Sequence, residues 1–188
     1  MKRLPNIALL ARTRAGKDTF FKIAEELGYH VRRVAYGDTM KRMFHNDFPM
    51  IPSVPKPIAH YQKYNFMREI DSEVFVRPTI ADVLLHKNTL AQYGLNVPAY
   101  IFTDVRQLNE HQACEQLGCV FVRIEADESV RAERMREAGE EVNEKILNAP
   151  TERAVDVLRA DYVITNNGDS KLFEQQVKNL LQKLEVTN

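Results

Sequence analysis

Ala11-Arg12-Thr13-Arg14-Ala15-Gly16-Lys17-Asp18-Thr19 has residue types in an order suited to chemistry on phosphate. It follows a short apolar run, Ile7 to Leu10, and precedes a stretch from Asp18 to Leu27 with apolar residues at helical spacing (Phe20, Phe21, Ala24, Leu27). Between a strand and a helix, successive backbone N–H groups can wrap an anion. The helix N-terminus adds its positive dipole, and a lysine reaches the outer phosphates of a nucleotide. Arg12, Thr13, Arg14, Ala15, Gly16, Lys17, Asp18 and Thr19 are therefore the candidate cradle for the phosphates of ATP. Lys17 is the first candidate to neutralise a phosphoryl group in transfer.

The stretch departs twice from the pattern G-x-x-x-x-G-K-[ST]. Ala11 stands in place of the first glycine, which is tolerable if φ there stays negative. Asp18 replaces the hydroxyl residue that normally touches Mg²⁺. A carboxylate can bind that ion directly or through water, so Asp18 is a metal candidate, and its negative charge near phosphates makes sense with the metal present. Thr19 can supply a hydroxyl. The alternative for the whole stretch is a Gly-Lys turn with Asp18 at the start of a helix.

Two further groups can do chemistry. Asp104 closes the apolar run Ala99 to Thr103, at the strand end where open α/β sheets bind ligands, so it can hold Mg²⁺ through water or orient an acceptor. Arg106 can clamp an acceptor phosphate with its two-pronged guanidinium, or the two can form an ion pair tying the strand to the next helix. Asp38 follows the run Val31 to Tyr36; it can receive the acceptor, organise the metal's waters, or cap a helix from Thr39 to Phe44. Lys41 lies about one turn further, facing the acceptor or solvent. The histidines (His30, His45, His60, His86, His111) show no metal-ligand spacing, and Cys114 and Cys119 show no redox or metal spacing, so both cysteines are expected to pack in a reducing compartment.

The elements that must position these groups alternate. Strands are expected at Ile7 to Leu10, Val31 to Tyr36, Ala99 to Thr103, Val120 to Ile124 and Tyr162 to Thr165. Helices fill the intervals, and Lys171 to Leu184 forms a last amphipathic helix carrying Leu172, Val177, Leu180, Leu181 and Leu184 on one side. Strands separated by helices predict a three-layer α/β/α fold on a parallel sheet of about five strands. The expected organisation is one domain over residues 1–188, with its core in 1–46, 93–130 and 151–188. Two excursions leave that core. Residues 47–92 hold Pro49, Pro52, Pro55 and Pro57 and then helical pattern, and residues 131–150 are highly charged. Long excursions from such a core are usually binding loops or lids.

Composition limits the partners. Among the 188 residues, 26 basic and 26 acidic side chains cancel, so no global field draws nucleic acid or an acidic membrane, and any anion must be caught by local geometry. The apolar run near the start is too short for a secretory signal core, and no other stretch approaches membrane-spanning length, so a cytoplasmic protein is expected. Small-molecule substrates are the expected partners, and a homodimer is open.

With these residues in view, the chain resembles the phage-type deoxynucleoside monophosphate kinases and their P-loop relatives. The resemblance rests on Gly16-Lys17-Asp18-Thr19, on Ala35-Tyr36-Gly37-Asp38-Thr39-Met40-Lys41, and on Tyr61-Gln62 with Met67-Arg68-Glu69-Ile70-Asp71. It also takes in Thr103-Asp104-Val105-Arg106-Gln107-Leu108-Asn109-Glu110 and Asp161-Tyr162-Val163-Ile164-Thr165-Asn166-Asn167-Gly168. It implies an ATP- and Mg²⁺-dependent phosphoryl transfer to a (deoxy)nucleoside monophosphate, with Lys17, Asp104 and Arg134 as catalytic residues. Residues 47–92 would be the acceptor-binding insertion and 131–150 the lid. Asp38, Lys41, Gln62, Arg68 and Arg106 would meet the acceptor. Arg131, Arg134 and Arg136 would be lid arginines, although the same segment also reads as a solvated charged helix. Asn166, Asn167 and Gly168 would lie near the adenine. Tyr61, Tyr64 and Phe66 can stack on a base or pack a small core. Asn65 or Phe66 in place of a glycine and Leu108 in place of a proline depart from the family pattern and bear on the acceptor pocket. A different phosphorylated acceptor (dephospho-coenzyme A, phosphomevalonate) and a nucleotide-binding regulator that transfers nothing are the alternatives.

Overall fold

The computed structural model describes residues 3–139 and 150–186; the remainder of the expected lid, 140–149, lies outside the described residues. In chain order the elements are β1 (Ile7–Ala11), α1 (Lys17–Glu26), β2 (Val31–Val34), α2 (Tyr36–Asp47), α3 (Ile58–Tyr64), α4 (Met67–Ile70) and α5 (Val76–Gln92). They continue as β3 (Ala99–Val105), α6 (Leu108–Gln116), β4 (Val120–Glu125), α7 (Glu128–Glu137), α8 (Pro150–Val157), β5 (Tyr162–Thr165) and α9 (Ser170–Leu184). The chain forms two compact units, Met1–Arg33 with Val97–Asn188, and Val34–Asn96.

The first unit is built on a five-stranded parallel sheet in the order β2-β3-β1-β4-β5. β1 is central, paired in parallel with β3 on one side and β4 on the other. Every residue of β1 is buried, which is why it reads as an unbroken apolar run: a parallel strand with helices on both faces has no solvent side. Ile7, Leu9 and Ala11 join Ile101, Val122, Ile124 and Ile164 in a core covered by Phe20, Ile23 and Ala24 of α1 and by Phe173, Val177, Leu180, Leu181 and Leu184 of α9. Ala8 and Leu10 are also fully buried and point to the other face. α6 and α8 pack against β3 and β1, burying Cys114, Val155 and Leu158. Both cysteines are buried free thiols. The result is the expected three-layer α/β/α arrangement. The sheet order makes β1 the point where connections diverge, so the loop after β1 and the end of β3 lie where such folds bind ligands.

Three expectations about elements need correction. Leu172 is 66% exposed, and Phe173 takes its place in the apolar stripe. The reason is angular: Phe173 and Val177 are four residues apart and share a helix face, whereas Leu172 is five away and does not. The second strand stops at Val34 rather than Tyr36, because Ala35, in extended conformation, serves as the N-terminal flank of α2. Asp38 therefore sits inside the first turn of a helix that begins at Tyr36, not at the head of one beginning at Thr39. β3 runs to Val105, two residues past the expected end, so Asp104 is part of the strand.

In the second unit α2, α3 and α5 enclose an aromatic cluster around the buried Phe44, whose ring lies 5.2 Å from Phe48, 5.2 Å from Tyr61 and 5.5 Å from Tyr64. Buried hydroxyls of Thr79 and Thr39 are 2.7 Å apart, tying α5 to α2. Pro78 falls in the first turn of α5, where its missing N–H has no intrahelical acceptor to lose. A cavity of about 430 Å³ opens beside this cluster, lined among others by Phe44, Asp47, Phe48, Lys63, Tyr64 and Phe66. Among the described residues no helix is long and apolar enough to cross a membrane.

Candidate active site

The loop between β1 and α1 is curled, not extended. Ala15 N–H closes a turn onto the Arg12 carbonyl at 3.2 Å, Arg14 takes φ +62° and Gly16 φ +114°, and α1 begins at Lys17. Alternating handedness of this kind turns successive N–H groups toward one side. Gly16 is required by that geometry: its φ is one that side chains rarely adopt, and a Cβ there would stand 2.4 Å from Asn166 Nδ2. Ala11, by contrast, is the last residue of a strand with φ negative, so its replacement of a glycine costs nothing.

The outer side of the loop is braced. Asn166, buried at the end of β5, donates from Nδ2 to the Ala15 carbonyl at 2.8 Å. Arg134 of α7 donates to the Arg14 carbonyl at 3.2 Å and to both oxygens of Asn166 at 3.0 Å. Both braces engage loop carbonyls and consume no loop N–H. Asn166→Ala leaves the Ala15 carbonyl without that donor and is expected to lower stability by about 1–2 kcal/mol, read as a shift of the denaturant midpoint at unchanged slope.

Arg106 reaches the loop from the end of β3. Its Nη2 donates to Thr13 Oγ1 at 3.1 Å, and its Nη1 pairs with Glu152 at 2.7 Å. Its own backbone N–H is held by Glu110 Oε2 at 2.8 Å, and the same carboxylate closes a capping box with Gln107 at the start of α6. Glu110, the last residue of the Asp-Val-Arg segment, thus fixes where Arg106 begins. Glu152 was not visible to sequence reasoning. It is only 2% exposed, and it accepts from Thr13 N–H at 2.6 Å and Thr13 Oγ1 at 2.9 Å. Arg12, also in the loop, is paired with Asp156 of α8.

Lys17 opens α1 among these charges. Burial, then the neighbouring Arg106 cation, pushes its ammonium below the ordinary lysine range, while Asp18, Asp104 and Glu152 oppose the shift. Asp18 and Thr19 are exposed on the first turn of the helix, where a carboxylate is favoured by the dipole. Of the arginines expected in a lid, Arg131 is 1% exposed, with Nε on the Ala126 carbonyl at 3.3 Å and Nη1 4.0 Å from Glu152. Burial lowers its pKa from the ordinary arginine value. This is not a solvated arginine. Arg136 is exposed. Asn167 Oδ1 accepts from Asp127 N–H at 2.6 Å, and Gly168 follows in the same turn. The structure therefore gathers Arg12, Thr13, Arg14, Ala15, Gly16, Lys17, Arg106, Arg134 and Asn166 around one loop.

The remaining candidates belong to the second unit. Asp38 pairs with Lys41 at 2.9 Å. Gln62 is exposed on α3. Arg68 lies 4.9 Å over the Phe75 ring and donates to Asn65 Oδ1 at 3.0 Å. The Tyr64 hydroxyl donates to Asp47, and burial together with that bond raises its pKa to about 12.

No protein-family model matches the chain, and no curated protein matches its sequence. Solved structures do. TT1252 from Thermus thermophilus superposes with a TM-score of 0.63 at 20% identity, over 97% of this chain and 99% of its own. Dephospho-CoA kinase from Campylobacter jejuni gives 0.56 at 16% identity, over 95% and 96%. A gluconokinase from Sinorhizobium meliloti 1021 gives 0.56 at 15% identity, over 97% and 94%. The likeness is one of fold, a P-loop α/β fold.

In this P-loop fold the donor set for a divalent cation is modest. Among the described residues no cluster of three or more His, Cys, Asp or Glu side chains forms an all-protein metal site. Asp18 and Asp104 both act electrostatically on Lys17. Two carboxylates acting on that lysine fit Mg²⁺, which takes one or two such protein ligands and completes its shell with other oxygens.

Proposed function

We propose that the chain is a phosphotransferase that moves the terminal phosphoryl of ATP onto a (deoxy)nucleoside monophosphate, giving the diphosphate. The observation that carries this reading is the P-loop itself: curled by two positive-φ residues, braced from outside by Asn166 and Arg134, with Lys17 at the head of α1.

Phosphoryl transfer needs positioning and charge neutralisation more than covalent chemistry from the protein. An acceptor phosphate oxygen attacks the terminal phosphorus, the bond from that phosphorus to the bridging oxygen breaks, and ADP departs with the electron pair. Lys17 stabilises the equatorial oxygens as charge builds there. Asp18 and Asp104 would hold Mg²⁺, which when bound neutralises the phosphate oxygens. Arg134 ties the loop to α7, and Arg106 meets the transferred group at the loop's rim. The acceptor reading draws on the second unit, where Asp38, Lys41, Gln62 and Arg68 offer charge and hydrogen bonds. The aromatic-lined cavity there offers flat apolar surface of the kind a base stacks on.

The test is turnover of Mg-ATP against a panel of ribo- and deoxynucleoside monophosphates, with dephospho-coenzyme A and phosphomevalonate alongside. ADP formation with a nucleoside monophosphate above the Lys17→Ala control supports the reading. Turnover confined to another ester moves the acceptor, and tight ATP binding with no acceptor moves the chain to a regulator.

The lowered pKa of Lys17 gives a pH dependence. Only the ammonium attracts phosphate, and a depressed pKa means the charge is lost earlier as pH rises. ATP affinity is therefore expected to fall on an alkaline limb centred below the ordinary lysine value of about 10.4. Calorimetric titration across pH 7 to 10.5 checks this.

A further inference from the structure

We propose that Glu152 is a positioning residue for this transfer, its carboxylate locking the Arg106 guanidinium onto Thr13 at the rim of the P-loop. The proposal rests on the kinase reading above. Glu152 lies on α8, far along the chain from the loop it touches, and nothing in the sequence pattern marks it.

The geometry is a closed ring. Arg106 Nη2 donates to Thr13 Oγ1, Thr13 Oγ1 donates to Glu152 Oε1, and Arg106 Nη1 donates to the same Oε1. Oε2 takes the Thr13 backbone N–H. A buried carboxylate is tolerated only when donors and cations surround it, and here both oxygens are engaged. Each member of the ring has one purpose that the others do not supply. Glu110 fixes the backbone of Arg106, while among the described residues Glu152 and Thr13 hold its planar head. An arginine so held loses little freedom when it meets a phosphate, which is where positioning contributes to rate.

Two further observations point the same way. Arg106 Nε and Arg131 Nη1 are buried and have no hydrogen-bond partner among the described residues. Guanidinium groups with an N–H in hand beside a phosphate cradle are placed for an additional oxygen acceptor, and Glu152 lies between them. Glu152 also offsets the concentration of positive charge there. Without it the Arg106 and Arg131 guanidinium groups, both paired with the one carboxylate, lose their shared counter-charge.

The experiment compares wild type, Glu152→Gln and Thr13→Val for kcat, KM for ATP and thermal unfolding. Glu152→Gln keeps the shape and removes the charge. It is expected to lower kcat about 10–100-fold with a smaller change in KM, a split that a general loss of stability would not produce. Thr13→Val leaves Glu152 in place and breaks only the hydroxyl bridge, with an expected kcat loss of about 2–10-fold. Wild-type kcat in a folded Glu152→Gln overturns the proposal and leaves the kinase reading standing. If Glu152→Gln does not fold, Thr13→Val decides, and wild-type kcat there overturns it. If wild type transfers to no acceptor, whether or not it binds ATP, the kinase reading fails and the proposal falls with it.

Discussion

Lys17→Ala is expected to lower kcat about a thousandfold with the fold intact. The two halves of that expectation come from different places. Lys17 is the first residue of α1, and alanine is the strongest helix former, so the helix has no reason to fray. The hydrophobic contacts of α1 come from Phe20, Ile23 and Ala24, none of which depends on the lysine. The chemistry does depend on it. An ammonium over the terminal phosphate acts most strongly when the phosphoryl is in flight and its oxygens carry most charge, and a partly desolvated site magnifies the interaction. The loss should therefore fall mainly on kcat and less on KM. Circular dichroism and thermal unfolding matched to wild type, together with steady-state rates, check both halves. A kcat within about tenfold of wild type would remove Lys17 from its assigned role.

Gly16→Ala is expected to destabilise the protein by about 2–3 kcal/mol and to remove detectable ATP binding. A φ of +114° is strained for any side chain, and the new methyl would also strike Asn166 Nδ2 at 2.4 Å. That nitrogen cannot simply swing aside. It donates to the Ala15 carbonyl, and the other end of the same amide accepts from Arg134. Relieving the clash means releasing the loop from Asn166 and Arg134 at once, which frees the curvature of the loop. For a domain of this size the stability change corresponds to a fall in melting temperature of about 5–10 °C. An alanine variant with unchanged melting temperature and ATP affinity would show that the loop does not need this conformation.

The contrast between Gly16 and Glu152 shows what sequence could and could not disclose. The loop is a local structure: strand, turn, lysine and helix follow one another in the chain, and each has a period or residue type of its own. The same holds for Asp104 and Arg106, which sit at the end of an apolar run. Glu152 and Asn166 reach the loop across sequence separations of 139 and 151 residues, and neither stands out among its neighbours in composition. Their positions follow from the sheet order and from α8 packing against β1, which periodicity does not encode. Asn166 is legible as part of a turn, and near the adenine only as the resemblance implies, but its grip on Ala15 depends on how β5 meets the loop. Local reading also overran at Ala35-Tyr36, where residues comfortable in a strand instead open α2 because the extended Ala35 serves as its flank. Tyr61, Tyr64 and Phe66 are legible as a group of aromatics, whereas Phe44 at their centre and the cavity beside them depend on how the helices meet.

The central claim is that the main-chain amides after β1 receive the phosphates of ATP. Backbone amide resonances followed residue by residue while Mg-ATP is added to wild type test it most directly. The largest saturable shifts are expected on Arg14 to Thr19, and Gly16→Ala is expected to abolish them at the same nucleotide concentration. Saturating Mg-ATP that leaves those amides unmoved, whether or not others respond, would contradict it.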